Sequence, residues 1–192
     1  MSARILLLGV SIAALSSVAT QAADLIIPTT PEPIYEAAGF DWEGLYIGAR
    51  AGGQFTGDSA SLYATTPINT TSGVIGAAVG VNFIPVDPFL IGAEVTGDYI
   101  WSTDFSSGEF FANLRAGAVV TDSVLVYALG GIGTNTRSGV NEGVYQLGGG
   151  VELAVTDAVS VRGELVGQGD FDGGSDPFFE GAKATVGAFY HF

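Results

Sequence analysis

From Gly44 to the last residue, apolar side chains recur at every second position in short runs, and each run stops at a cluster of Gly, Pro, Asn, Asp or Ser. A period of two is the signature of an extended strand with one apolar face. In 44–55, Leu45, Ile47, Ala49, Ala51 and Phe55 fall on one face, and Tyr46, Gly48, Arg50, Gly52 and Gln54 on the other. The same alternation runs through 74–83, 89–101, 110–121, 144–155, 159–168 and 182–192. A further run, 124–134, is apolar at most positions, and Leu125, Tyr127 and Leu129 are assigned to its outer face. The pattern predicts eight strands, an even number, as a closed antiparallel barrel from bacteria requires.

The predicted connections alternate in length. Residues 84–88, 122–123 and 156–158 are tight, whereas 56–73, 102–109, 135–143 and 169–181 are long. Short turns at one end and longer loops at the other characterise transmembrane barrels, and a soluble β-sandwich has no reason to sort its loops this way.

Charge sharpens the choice between barrel and sandwich. Arg50, Arg115, Arg162 and Lys183 fall on the polar register of a strand, as do Glu94, Asp98, Glu152 and Glu164. On a barrel's lipid face, an Arg or Lys near the bilayer centre costs about 2–4 kcal/mol. Turned inward, it can pair, and a barrel of eight strands is only wide enough to be filled by its own side chains. The inward glycines, among them Gly48, Gly76, Gly80, Gly92, Gly148 and Gly150, leave room for the long side chains to cross. The chain is therefore read as all-β, a closed antiparallel eight-stranded transmembrane barrel with a luminal charge network.

Composition agrees with this. Of the 192 residues, 47% are hydrophobic and 14% charged, yet past the N-terminus no apolar run approaches the roughly 20 residues of a membrane-spanning helix. A net charge of −14 argues against nucleic-acid binding, which relies on basic side chains to neutralise phosphates. There is no cysteine to mispair in an oxidising compartment. Residues 1–22 read as a cleaved signal peptide: Arg4 gives a basic start, Ile5 to Val18 an apolar core, and Thr20-Gln21-Ala22 a small-residue cleavage site. Residues 23–43, with Pro28, Pro31 and Pro33, read as a periplasmic N-terminal extension, and 44–192 as the barrel.

Trp42, Tyr99, Trp101, Tyr145 and Tyr190 are candidates for aromatic girdles at the two membrane interfaces. The acidic stretch 170–180 fails the EF-hand pattern, since Gly174, Ser175 and Gly181 occupy positions where that loop needs other residues; a looser divalent-cation site stays open. Asn69-Thr70-Thr71 matches a glycosylation sequon by chance. Tyr63 is a lone candidate ligand for haem. The single histidine, His191, lies near Ser160 at the periplasmic rim, but no carboxylate completes a triad at that depth, Glu164 being further up its strand. No enzyme, cofactor or metal centre is predicted.

Ala23-Asp24-Leu25, Trp42-x-Gly44-x-Tyr46-x-Gly48, Tyr127 with Gly130-Gly131, Arg162-x-Glu164 and the closing Phe192 together resemble the small OmpA-like, porin-family outer-membrane barrels common in alphaproteobacteria. The resemblance implies location in the outer membrane and contact with its lipid and lipopolysaccharide. It also implies that Phe192, with Tyr190, Ala188, Val186 and Ala184 alternating before it, is the signal presented to the barrel assembly machinery. Two roles follow: a structural surface protein with a filled lumen that supports the envelope, or a narrow porin-like channel for small solutes. Surface binding of haem or a divalent cation is a further alternative. Oligomeric state and host partners are not legible.

Overall fold

The structure, a computed structural model, describes residues 39–56, 70–103, 106–137, 139–171 and 178–192. The chain divides into two units, Met1–Ile34 and Tyr35–Phe192, and all described residues belong to the second. The expected signal peptide, most of the N-terminal extension, Tyr63, Asn69 and much of the acidic 170–180 stretch lie outside the described residues.

Eight strands, β1 (Gly44–Thr56), β2 (Thr70–Val86), β3 (Phe89–Trp101), β4 (Ser106–Thr121), β5 (Val124–Arg137), β6 (Val140–Ala154), β7 (Val159–Asp170) and β8 (Gly181–His191), pair antiparallel in chain order. The barrel closes where β8 returns to β1, with Ala49 opposite Ala188 and Thr56 opposite Gly181. The tight turns after β2, β4 and β6 lie at the same end as the start of β1 and the chain terminus; in an outer-membrane barrel that end is periplasmic.

The expected loops at the opposite end are shorter than the sequence pattern implies. β4 begins at Ser106 and β5 runs to Arg137, where it pairs with Val140 of β6. Half of 102–109 and most of 135–143 are thus strand. Their residues are mostly polar or glycine, so the apolar alternation stops while the hydrogen-bonded ladder continues. Periodicity reports where the lipid ends, and the backbone can carry the strand beyond that point.

Side-chain burial alternates with the pleat. On the outside, Leu45, Ile75, Val95, Leu114, Leu165 and Val186 are each at least half exposed, Leu114 reaching 72%. An apolar surface wrapped round a closed sheet is stable against hydrocarbon rather than water. One register expectation is overturned: Leu125, Tyr127 and Leu129 point inward, buried to 5% exposure or less, while Val126 and Ile132 face out. Both faces of β5 are apolar, so periodicity has nothing to choose by. The ladder decides it, because directly opposed residues share a face: Leu129 pairs with Arg115 and Leu125 with Glu152, both luminal.

Candidate functional site: the filled lumen

The inward register fills the barrel with two linked layers of charge. In the upper layer Arg50 bonds Asp98 through Nε (2.9 Å) and Nη2 (2.6 Å) and Glu164 through Nη1 (3.0 Å). Lys183 donates to the same Asp98 (2.7 Å) and to Glu109 (2.9 Å). Gln54 and Gln168 extend this layer toward the outer mouth, Gln54 donating to Gln168 at 2.7 Å and Gln168 to Glu109 at 3.2 Å.

In the lower layer Arg162 donates through Nη1 to Glu94 and through Nε to Glu152 at 2.9 Å. Arg115 donates to Glu152 (3.1 Å) and to the Tyr46 hydroxyl (2.7 Å), which in turn donates to Glu94 (2.8 Å). The Tyr127 hydroxyl donates to Glu164 at 2.8 Å and joins the layers. Rings flank the guanidiniums: Arg115 lies 4.0 Å from the Tyr127 centroid and Arg162 3.7 Å from that of Phe189. Such stacking satisfies a cation where hydrogen-bond acceptors run out.

Glycine makes the space. A Cβ on Gly76 would come within 2.0 Å of Asp98 Oδ1, and one on Gly80 within 2.3 Å of the Tyr46 hydroxyl. These two positions of β2 are bare so that charges from β3 and the Tyr46 phenol of β1 can lie against the wall.

Below the charges, the periplasmic end is closed by apolar side chains. Trp42, Leu90, Leu125, Tyr127, Leu129 and Val166 form one buried cluster, with Phe40 and Ile84 packed against it. Phe40 and Trp42 precede β1 and enter the lumen as a plug. Asn82 donates to the Trp42 carbonyl at 3.1 Å, and both rings meet His191 edge-on, at 4.8 and 5.9 Å between centroids. Gly44, at φ +110°, turns the chain from the plug into the wall, a conformation that residues with a Cβ disfavour.

All eight predicted network residues, Arg50, Glu94, Asp98, Arg115, Glu152, Arg162, Glu164 and Lys183, are buried together in this lumen. Trp42 requires a correction: expected in a girdle, it is 2% exposed inside the barrel. A tryptophan just before a strand fits either place by sequence; the pairing of Gly44 with Asn82 and the turn at Gly44 send it inward. Tyr99, Trp101 and Tyr190 lie on the outer wall, at 53%, 44% and 49% exposure, and Tyr145 is half-buried there.

Glu109 is the main omission. Placed in a loop by sequence, it is buried and bonded to Lys183. Counting back by twos from Arg115 through Asn113 and Phe111 reaches Glu109 on the inward register, so the signal lies in the strand's phase. A carboxylate also lies at the depth of Ser160, against expectation. Glu152 Oε1 is 2.5 Å from Ser160 Oγ and 3.0 Å from His191 Nε2, brought there by the β6–β7 ladder that opposes Glu152 to Arg162. Serine and carboxylate share one ring nitrogen, whereas a nucleophilic triad needs them on opposite nitrogens. No group of three His, Asp or Glu placed to hold a metal occurs among the described residues.

No protein-family model matches the sequence, and no curated protein matches it. The fold, by contrast, is similar to solved structures. The N-terminal β-barrel domain of OprF from Pseudomonas aeruginosa superposes with a TM-score of 0.54 at 12% identity, over 77% of this chain and 97% of that one. Neisserial surface protein A superposes at 0.51 and 16% identity, over 78% and 97%. At such identities the likeness is one of fold. The chain thus has the architecture of the small eight-stranded outer-membrane barrels, with a lumen closed by its own side chains.

Proposed function

We propose that this chain is an integral outer-membrane protein whose barrel is a filled structural element of the envelope, displaying its outer connections and conducting no solute. The observation that carries this reading is the lumen: ion pairs span it in two layers above an aromatic plug. Its partners would be the surrounding lipid and lipopolysaccharide and, through the exposed Phe192 at the β1–β8 seam, the barrel assembly machinery. A non-enzymatic role fits the arrangement at Ser160, His191 and Glu152, which lies beside the plug and lacks the order of a triad.

A second reading, a narrow path for water or small solutes, is favoured by one observation. Glu94 Oε1, Thr96 Oγ1, Arg115 Nε and Arg162 Nη2 are buried without a hydrogen-bond partner, which leaves bonding capacity along the lumen. Recording the full chain in planar bilayers separates the two readings. The filled-barrel reading expects no reproducible unitary current, and steady single-channel conductance would overturn it in favour of the channel. Fractionation of the native protein is expected to place it with the outer membrane.

A further inference from the structure

The outer wall carries a feature that the lumen does not explain. Along the β1–β4 arc of the upper belt, aromatic side chains project from the strands themselves: Phe55 on β1, Tyr99 and Trp101 on β3, and Phe110 on β4, each 44% exposed or more. On β6 and β7 the belt is interrupted by Gly143, Gly167 and Gly169, which present no side chain. The two ends of the β7–β8 connection cover these positions. A Cβ on Gly167 would lie 2.6 Å from the Phe179 ring, one on Gly143 3.3 Å from Phe171, and one on Gly169 2.6 Å from the Tyr145 hydroxyl. The rings form a chain across the wall: Phe171 to Tyr145 at 5.4 Å, Tyr145 to Phe178 at 5.3 Å, and Phe178 to Phe179 at 4.8 Å between centroids.

Their outer faces are uncovered. Phe171, Phe178 and Phe179 are 60%, 62% and 44% exposed, an unfavourable surface to show to water but continuous with the lipid-facing residues Leu147 and Leu165 below it. Several backbone groups at both ends of the connection are paired, which favours contact with hydrocarbon. The Phe171 amide donates to the Gly143 carbonyl and the Glu180 amide to the Gln168 carbonyl. The Asp170 amide donates to the Glu180 carboxylate, and the Tyr145 hydroxyl donates to the Phe178 carbonyl.

We propose that Phe171, Phe178 and Phe179 form, with Tyr145, a membrane-seated aromatic lobe whose partner is the upper acyl-chain surface of the surrounding leaflet. The two described ends of the β7–β8 connection, Phe171 and residues 178–180, are thereby anchored in lipid. The surface offered is ring against ring, so the contact is apolar and does not single out a phosphate. The inference rests on the reading of the chain as an integral membrane barrel, and its test separates the two.

In the full-length W101F/F178W variant, an indole reports from the lobe while Trp42 stays shielded in the lumen. The protein is reconstituted into phosphatidylcholine vesicles brominated either near the headgroup end of the acyl chain or near the bilayer centre. The indole introduced by F178W should emit to the blue of a hydrated one, lose most of its emission to shallow bromines and less to deep ones, and resist aqueous acrylamide. Wild-type Trp101 serves as the belt standard. Quenching of Trp101 by lipid, together with red-shifted, acrylamide-sensitive emission from the F178W reporter, would overturn the lobe and leave the barrel standing. Failure of lipid bromine to quench Trp101 would overturn the membrane reading on which the lobe depends. F179W in the same background repeats the test with a ring seated on Gly167, should F178W fail to fold.

Discussion

Arg115 lies between Leu114 and Ala116, which face outward, while its own guanidinium bonds Tyr46 and Glu152 within the lumen. Replacing both members of such a pair by well-packed apolar groups is often tolerated, but removing one strands a buried charge and costs about 3–5 kcal/mol. Arg115→Ala and Arg162→Ala are accordingly expected to lower the denaturant midpoint of the refolded barrel strongly. Arg137→Ala, at the outer tip of β5, should change stability by no more than about 1 kcal/mol, the range of exposed ion pairs. Equal midpoints for all three would contradict the inward register. Gly76→Ala sets a Cβ against Asp98 and the Gly97 carbonyl, and overpacking of this kind is expected to cost about 1–3 kcal/mol, read from the same unfolding curves.

At the scale of elements, the plug before β1 makes its own prediction. Trp42→Ala empties the centre of the lower apolar cluster, a change that typically costs about 3–5 kcal/mol for a large aromatic, and it should also admit water to the charges above. Hydrogen exchange of the β5 and β7 amides near the periplasmic end is expected to quicken, whereas Trp101→Ala on the outer wall should leave those amides unchanged. Elements also show what a sequence can and cannot say here. β1, β3, β7 and β8 are legible almost from end to end because a mainly polar register, interrupted by single apolar residues such as Leu90, Val166 and Phe189, opposes an apolar one. β5 is not, since its luminal face near the periplasm is Leu125, Tyr127 and Leu129, as apolar as its outer face; only pairing with Arg115 and Glu152 breaks the tie. Glu109 escapes for a related reason: alternation marks the lipid boundary and falls silent in strand beyond it. Trp42 is the third case, because a residue outside the ladder has no phase to read.

For the whole molecule, closure is the property most simply measured. A folded barrel should migrate differently on a gel before and after boiling, and identical migration would count against the fold. The luminal charges are legible as a set, by register alone, but not as partners. Which cation meets which carboxylate depends on shear between strands far apart in sequence, as when Arg50 of β1 reaches Asp98 of β3 and Glu164 of β7.

That wiring has a consequence for how the barrel comes into being. The ion pairs join β1 to β3 and β7, β3 to β4, β7 and β8, β4 to β6 and β8, and β6 to β7. Few of them link strands that neighbour each other in the chain. A hairpin entering the bilayer alone would bring charges whose partners had not arrived, so partly inserted intermediates are penalised and assembly approaches all-or-none. A barrel closed one residue out of register would lose these pairings and leave its charges unneutralised.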